Sequence, residues 1–259
     1  MPDTILAYDL GTGGNKASIY DAQGRCLASV FDPYETHYPQ AGWHEQRPAT
    51  WWDSVVRSTR SLLADAAADP AGIRCIGISG HSLGCVPLDG SGAVLREATP
   101  IWSDKRAVDQ AARFFEKIGP AHWYRLTGNG FPAPHYTAFK VMWYRDHEPA
   151  MFEQVEKIVG TKDYVNYRLT GRLATDYSYA SGTGVYDLLG WDYCDDLLAA
   201  ADLPRSMFPE IVPSTELLGE LSAEAADALG LPAGIAVSCG GVDNSCMALG
   251  ARNMAEGRT

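Results

Sequence analysis

A glycine-rich turn, Gly11-Thr12-Gly13-Gly14, lies near the start of the chain between two segments of alternating apolarity. Thr4–Tyr8 reads as a strand ending at Asp9, and Asn15–Tyr20 as a second strand. Period-two alternation on both sides of a glycine cluster predicts strand–turn–strand. Asp21-Ala22-Gln23-Gly24 is a further turn and Arg25–Val30 a third strand, so the chain opens as a three-stranded meander.

Glycine turns after a first strand often hold phosphate, and the residues just past the turn decide its type. A P-loop needs Lys directly after glycine, then Ser or Thr, then a helix. Here Asn15 precedes Lys16, Ala17 comes after it, and the next element is a strand. The dinucleotide fingerprint also fails, because Lys16 occupies its last glycine position. Two readings remain. In one the turn is an ordinary hairpin connection. In the other, backbone N–H groups freed of side chains approach phosphate oxygens, Thr12 offers a hydroxyl, Lys16 a point charge, and Asp9 holds Mg²⁺ through water.

Further along, Thr50 is expected to cap a helix whose buried face runs through Trp52, Val55, Val56, Thr59, Leu62, Leu63 and Ala66. Ile73–Ser79 reads as a buried strand leading into Gly80-His81-Ser82-Leu83-Gly84. Asp89-Gly90-Ser91-Gly92 joins Val86–Leu88 to Ala93–Leu95 as a hairpin. Helices are predicted at Lys105–Ile118, Ala138–Arg145, Glu148–Val155, Thr161–Leu169 and Ser222–Leu229. Ile235–Cys239 is a last apolar strand, leading through Gly240-Gly241 into a helix over Asp243–Ala251. Strands first, helices in the middle and a strand–turn–helix at the end predict an α/β domain with a mixed β-sheet and a helical insertion.

Asp243, behind two glycines at a strand end, also has two readings. It is a helix N-cap, a common role for Asp, or a general base exposed to a cleft, taking a hydroxyl proton during phosphoryl transfer.

The chain has 259 residues and a formal net charge of −11, which argues against a nucleic-acid groove. Six cysteines without a C-x-x-C pair read as reduced thiols, mostly in the core. The N-terminus lacks the basic start and apolar stretch of a signal peptide, and no apolar run approaches the ~20 residues needed to span a bilayer. A cytoplasmic protein with no membrane partner is expected.

Seven ordered blocks then accompany Asp9-Leu10-Gly11-Thr12-Gly13-Gly14. They are Gly42–Pro48, Trp51-Trp52, Gly77-Ile78-Ser79-Gly80-His81, Ile101-Trp102-Ser103-Asp104-Lys105-Arg106, Lys140-Val141-Met142-Trp143, Gly160-Thr161-Lys162-Asp163-Tyr164 and Gly240-Gly241-Val242-Asp243-Asn244. In order and spacing the chain resembles the amino-terminal half of FGGY carbohydrate kinases, in the actin/hexokinase-like (ribonuclease H-like) superfamily, and most of all their xylulokinase-type members. The resemblance implies ATP-dependent phosphorylation of a ketopentose hydroxyl, with ATP and Mg²⁺. It makes Asp243 the catalytic base and Asp9 the support of Mg-ATP, with Gly11, Thr12, Gly13, Gly14 and Lys16 at the phosphates. The sugar would lie among His81, Ser82, Leu83, Trp102, Asp104 and Asn244, with His135 or Tyr136 approaching. A homodimer stays open.

The chain departs from that pattern in two ways. Xylulokinases commonly have Gln-Met-His-Gly where this chain has His81-Ser82-Leu83-Gly84, so Leu83 replaces the usual substrate histidine. Loss of a polar partner can change selectivity by orders of magnitude, which leaves ribulose, erythrulose or glycerol-like substrates as alternatives. The resemblance also implies a second, nucleotide-binding domain absent from this chain, which alone should bind sugar weakly and show no turnover. Keeping both Asp9 and Asp243 argues against a non-catalytic binder on the same fold, and the Trp102–Arg106 and Gly240–Asn244 blocks fit an actin-like filament protein poorly. Among the remaining residues, His44 and Glu45 are expected in a surface loop. Trp51, Trp52, Trp123 and Trp143 are expected in the core, and Lys162 and Asp163 as a local pair.

Overall fold

A computed structural model describes residues 3–64, 69–253, 255 and 257. Ala66, expected on the buried face of the first long helix, lies outside the described residues. The opening meander forms as expected, as β1 (Thr4–Leu10), β2 (Gly14–Asp21) and β3 (Cys26–Pro33), each antiparallel to the one before. The long helix α1 (Pro48–Ala64) packs on this meander, and β4 (Ile73–Gly80) returns parallel to β1. Three later strands complete a mixed sheet: β5 (Leu217–Glu220), β6 (Ala236–Ser238) and β7 (Gly241–Val242). Its order is β5-β6-β4-β1-β2-β3, with β7 pairing β4 just beyond β6.

Strand alternation divides the sheet into two faces. Leu6, Tyr8 and Leu10 of β1 are buried under α1, in one core with Ile76, Ile78, Trp51, Val55 and Leu62. Each such side chain contributes about 1.5–3 kcal/mol by burial. Hydrogen bonds fix α1 to the strands, with Tyr8 and Thr59 hydroxyls 2.5 Å apart and Asn15 Nδ2 donating to Ser58 Oγ at 2.9 Å. Ile5 and Asp9 point the other way and are exposed.

Between β4 and β5 the helical insertion builds a second core. Helices Val108–Ile118, Pro120–Thr127, α2 (Thr137–His147) and Asp195–Ala201 bury Phe114, Trp123, Phe139, Trp143 and Leu197 there. The helix α3 (Thr161–Thr170) and α4 (Ala223–Leu229) return to the first core beside α1. All four tryptophans expected in the core are buried.

Some local expectations change. Thr50 does not cap α1; the helix starts at Pro48, and both the amide and the hydroxyl of Thr50 donate to Arg47 O. Proline suits the first helical position because its φ is preset and its missing N–H would be unpaired anyway. The turn at Asp89 forms, its carboxylate accepting from Ser91 and Ala93 amides. Yet Val86–Leu88 pairs along its length with Lys157–Val159, and with the expected partner makes a single bridge, Leu88 to Val94. The helix expected over Glu148–Val155 is confined to Pro149–Phe152. Of the six cysteines, only Cys85 and Cys239 are buried, and all six are free thiols.

Candidate active site

The glycine turn is held from three sides. Tyr34 OH donates to Gly11 O at 2.6 Å, Gln46 Nε2 to Thr12 O at 2.7 Å, and Trp102 Nε1 to Thr12 Oγ1 at 2.9 Å. Gln46 is fully buried, and its Oε1 accepts from Trp51 Nε1 at 2.9 Å, so both ends of its amide are satisfied. At Gly14 a Cβ would lie 2.5 Å from Phe31 Cζ and 2.7 Å from Asp32 O, so only glycine lets β3 pass this close.

Register then assembles the chemistry. Across β1 and β2, Asp9 is opposite Lys16; across β1 and β4, Asp9 is opposite Ser79; across β4 and β7, Ser79 is opposite Gly241. Four strand ends therefore meet, and α5 (Asp243–Gly250) starts directly after β7. Ser79 Oγ donates to Asp9 Oδ1 at 2.7 Å and orients that carboxylate.

Two hollows flank this point. A groove of about 950 Å³ along the open sheet face is lined by Asp9, Gly11, Lys16, Ser79, Gly240 and Asp243. A hollow of about 480 Å³ between the sheet and the helical insertion is lined by Thr12, His81, Leu83, Trp102, Tyr136 and Asp243, among others. Asp243 and Asn244 line both.

Asp243 is the first residue of α5, and the capping position falls on Val242. Its Oδ1 accepts from the adjacent Asn244 amide at 2.7 Å. Burial, and then the charge of Asp9, raise the Asp243 pKa above the ordinary 3.8. The helix-cap reading is thus not realised. Gly240 makes the preceding turn at φ +69°, where a Cβ would meet Ile78 O at 1.8 Å.

The other expected residues divide into those that reach a hollow and those that do not. Ser82 and Trp102 line the smaller hollow, as does Tyr136, whose OH accepts from the Phe131 amide at 3.0 Å. Thr12 faces that hollow, whereas Gly11 faces the groove; neither hollow is lined by Gly13 or Gly14. Leu83 holds a left-handed conformation, φ 59°, and its side chain joins the second core while edging the hollow. His81 is 2 % exposed at the back wall, its ring 3.1 Å from Thr161 Oγ1 and edge-on to Trp51. Burial lowers its pKa to about 4, so it is neutral at physiological pH.

Asp104 does not reach either hollow. It is fully buried, accepting from the His44 amide at 2.7 Å and from Arg106 Nε and Nη2 at 2.9 and 2.8 Å. Arg106 also donates to Glu45 at 2.7 Å and stacks 3.9 Å above the Trp43 ring. Glu45 is therefore buried, not in a surface loop, and accepts from Arg96 too. His135 likewise turns inward, Nδ1 to Trp102 O at 2.9 Å. A buried carboxylate needs such partners, and here they come from segments far along the chain.

Among the contributors to the hollow that sequence reasoning left unassigned are Asn129 and Ser178. Both are short polar residues in helix-end segments, which a single sequence does not distinguish from caps. Among the described residues there is no group of three or more His, Cys, Asp or Glu side chains suited to a metal, and no helix long and apolar enough to cross a membrane.

The mixed sheet and its helical insertion are of the actin/hexokinase-like kind found in sugar kinases. Residues 4–250 match the FGGY family of carbohydrate kinases, N-terminal domain, and the chain belongs to that family. It is 35% identical over 245 residues to xylulose kinase of Klebsiella pneumoniae, covering 95% of this chain and 49% of that protein. Xylulose kinase of Escherichia coli (strain K12) is 33% identical over the same shares. The crystal structure of xylulose kinase from Rhodospirillum rubrum superposes with a TM-score of 0.91 at 31% identity, covering 98% of this chain and 52% of that one. The chain spans about half the length of the curated relatives it matches.

Proposed function

We propose that this chain forms the sugar-binding part of an ATP-dependent carbohydrate kinase that phosphorylates a hydroxyl of a xylulose-like ketopentose. The observation that carries this reading is the position of Asp243 as a wall of both hollows. A sugar in the smaller hollow and a γ-phosphoryl group at the groove would both be beside its carboxylate. Asp243 takes the proton of the attacking hydroxyl as the new oxygen–phosphorus bond forms, and the bond from phosphorus to ADP breaks. Its raised pKa suits a group that must accept a proton near neutral pH.

Asp9 is the carboxylate with the right surroundings for Mg²⁺. The ion keeps most of its waters and needs only one or two carboxylates beside substrate phosphates, and Asp9 is exposed at the groove with Ser79 fixing one oxygen. Held there, Mg²⁺ would neutralise phosphate charge. Gly11 and Lys16 line the same groove and would face the phosphates. Further nucleotide contacts would come from a second domain of the kind that the family resemblance implies.

A different ketose or a polyol is the second reading, and Leu83 favours it. An apolar side chain edges the hollow where a hydrogen-bonding histidine is common in xylulokinases, and His81 is engaged with Thr161. ADP release by the full-length protein, measured against a panel of ketoses and polyols, tests both readings. Stimulation by xylulose supports the first, and stimulation by another sugar or polyol alone supports the second. Folded protein without any sugar-dependent release overturns the kinase assignment.

A further inference from the structure

Beneath the turn that delivers Asp243 lies a buried ionic cluster. The side chain of Lys162 is wholly enclosed, with Nζ 2.6 Å from Asp163 Oδ1 and 3.1 Å from Asp176 Oδ1. Asp163 Oδ2 accepts from Thr175 Oγ1 at 2.8 Å. Asp176 Oδ2 accepts from three donors: the Ser178 amide at 2.9 Å, Ser178 Oγ at 2.5 Å and Ser214 Oγ at 2.9 Å. The Ser178 oxygen in turn accepts from the amide of Val242 at 2.9 Å, one residue before Asp243.

Asp176 is the N-cap of the short helix Tyr177–Ser181, which accounts for its bond to the Ser178 amide. A cap does not require the Ser178 hydroxyl to reach across to another strand. Burying two carboxylates against one ammonium is expensive unless their remaining lone pairs are used, and here three donors converge on one oxygen. The same turn is gripped again by Asn166 Nδ2 on Cys239 O at 2.8 Å and by the Gly240 amide on Ser214 O at 2.9 Å.

We propose that Asp176 and Ser178 are positioning residues for the base, a relay in which Asp176 orients the Ser178 hydroxyl and that hydroxyl fixes the Val242 amide and so the Asp243 carboxylate. Burial by itself would raise the Asp176 pKa; Lys162 and the hydroxyl donors outweigh it and hold the carboxyl below the ordinary range. An ionised Asp176 has only acceptors, so the Ser178 proton points to it and a lone pair remains for Val242.

The catalytic half of this inference rests on the kinase reading; the contact itself does not. On this chain, amide hydrogen exchange is measured at Val242 in the parent and in Ser178→Ala, with Ser178→Thr as the variant that keeps the hydroxyl. Exchange at least about tenfold faster in Ser178→Ala, restored in Ser178→Thr, is expected. Unchanged protection in Ser178→Ala overturns the relay whatever the protein's activity.

In the full-length protein, Ser178→Ala is expected to lower kcat about 10- to 100-fold with the KM for ATP nearly unchanged, because small displacements of a base are costly. Ser178→Thr should recover most of that loss. Ser214→Ala removes a donor from Asp176 but no side-chain contact to the turn, and should stay within about threefold of the parent. A higher KM for sugar at unchanged kcat makes Ser178 a substrate contact and overturns the positioning role, as does parental kcat in Ser178→Ala. Absence of sugar-dependent turnover in the parent defeats the kinase reading and leaves the exchange result to decide the relay.

Discussion

Asp9 and Asp243 line one groove, and the charge of Asp9 adds to burial in holding the Asp243 carboxyl above the ordinary carboxylate range. Two acids thus share a site in unequal surroundings. Asp9 is exposed and accepts from Ser79, whereas Asp243 is half-buried. On the kinase reading, such a division would separate charge handling from proton transfer.

That coupling has a measurable sign. A base works when deprotonated, so activity is retained above the Asp243 pKa and lost as pH falls through it. The acid limb of kcat/KM should therefore lie above that of an unperturbed aspartate, about pH 3.9. In Asp9→Asn the repulsion is gone, and the Asp243 midpoint tracked by carboxyl carbon NMR on this chain should move down. A midpoint that stays or rises contradicts the coupling.

Replacing the base separates binding from chemistry. Asp243→Asn keeps the shape of the hollow, so sugar affinity by calorimetry should change less than about tenfold. Turnover of the full-length protein should drop about 10²- to 10⁴-fold, the usual worth of a general base. A variant with full turnover removes Asp243 from the mechanism.

Gly240 should tolerate no side chain. Its φ of +69° costs a non-glycine residue about 1–2 kcal/mol, and a Cβ would be 1.8 Å from the Ile78 carbonyl oxygen. Gly240→Ala is expected to lose more than about 2 kcal/mol in urea denaturation. Gly250→Ala, where a Cβ meets nothing within 4 Å, should stay within about 0.5 kcal/mol.

Lys140 offers a pH test of the interior. Its Nζ donates to Leu83 O at 2.8 Å and Ile101 O at 2.7 Å, joining the two segments that carry Leu83 and Trp102 to the hollow. Burial lowers its pKa from 10.5 to about 7, with Asp104 and Cys85 opposing and Arg106 adding to the shift. Between those values the unfolded chain binds a proton that the folded one does not, so this group makes stability rise with pH. Denaturation at pH 7 and pH 9 should show that gain in the parent and its absence in Lys140→Met. Equal pH slopes in the two proteins refute the assignment.

The opening hairpin and the glycine turn were legible from the sequence because they depend on neighbours. Alternation over Thr4–Leu10 and Gly14–Asp21, with glycines between, specifies strands and a tight connection without help from elsewhere. The same holds for Gly240-Gly241 before a helix. Short strands without alternation escaped: Leu217–Glu220 exists because it pairs with Ala236–Ser238, and Lys157–Val159 because it pairs with Val86–Leu88.

Site residues divide along the same line. Asp9 and Asp243 stand at strand ends, which the pattern of apolar runs locates. Asp104 looks equally exposed in sequence, but Arg106 and the His44 amide, sixty residues earlier, draw it into the interior. His81 is turned inward by Thr161, and Ser178 meets Val242 across sixty-four residues. By itself the sequence determined where the backbone turns and which acids end strands, since those depend on local sterics and alternation. Tertiary structure decided which carboxylates face a cleft, because burial and charge pairing are set by groups that only folding brings together.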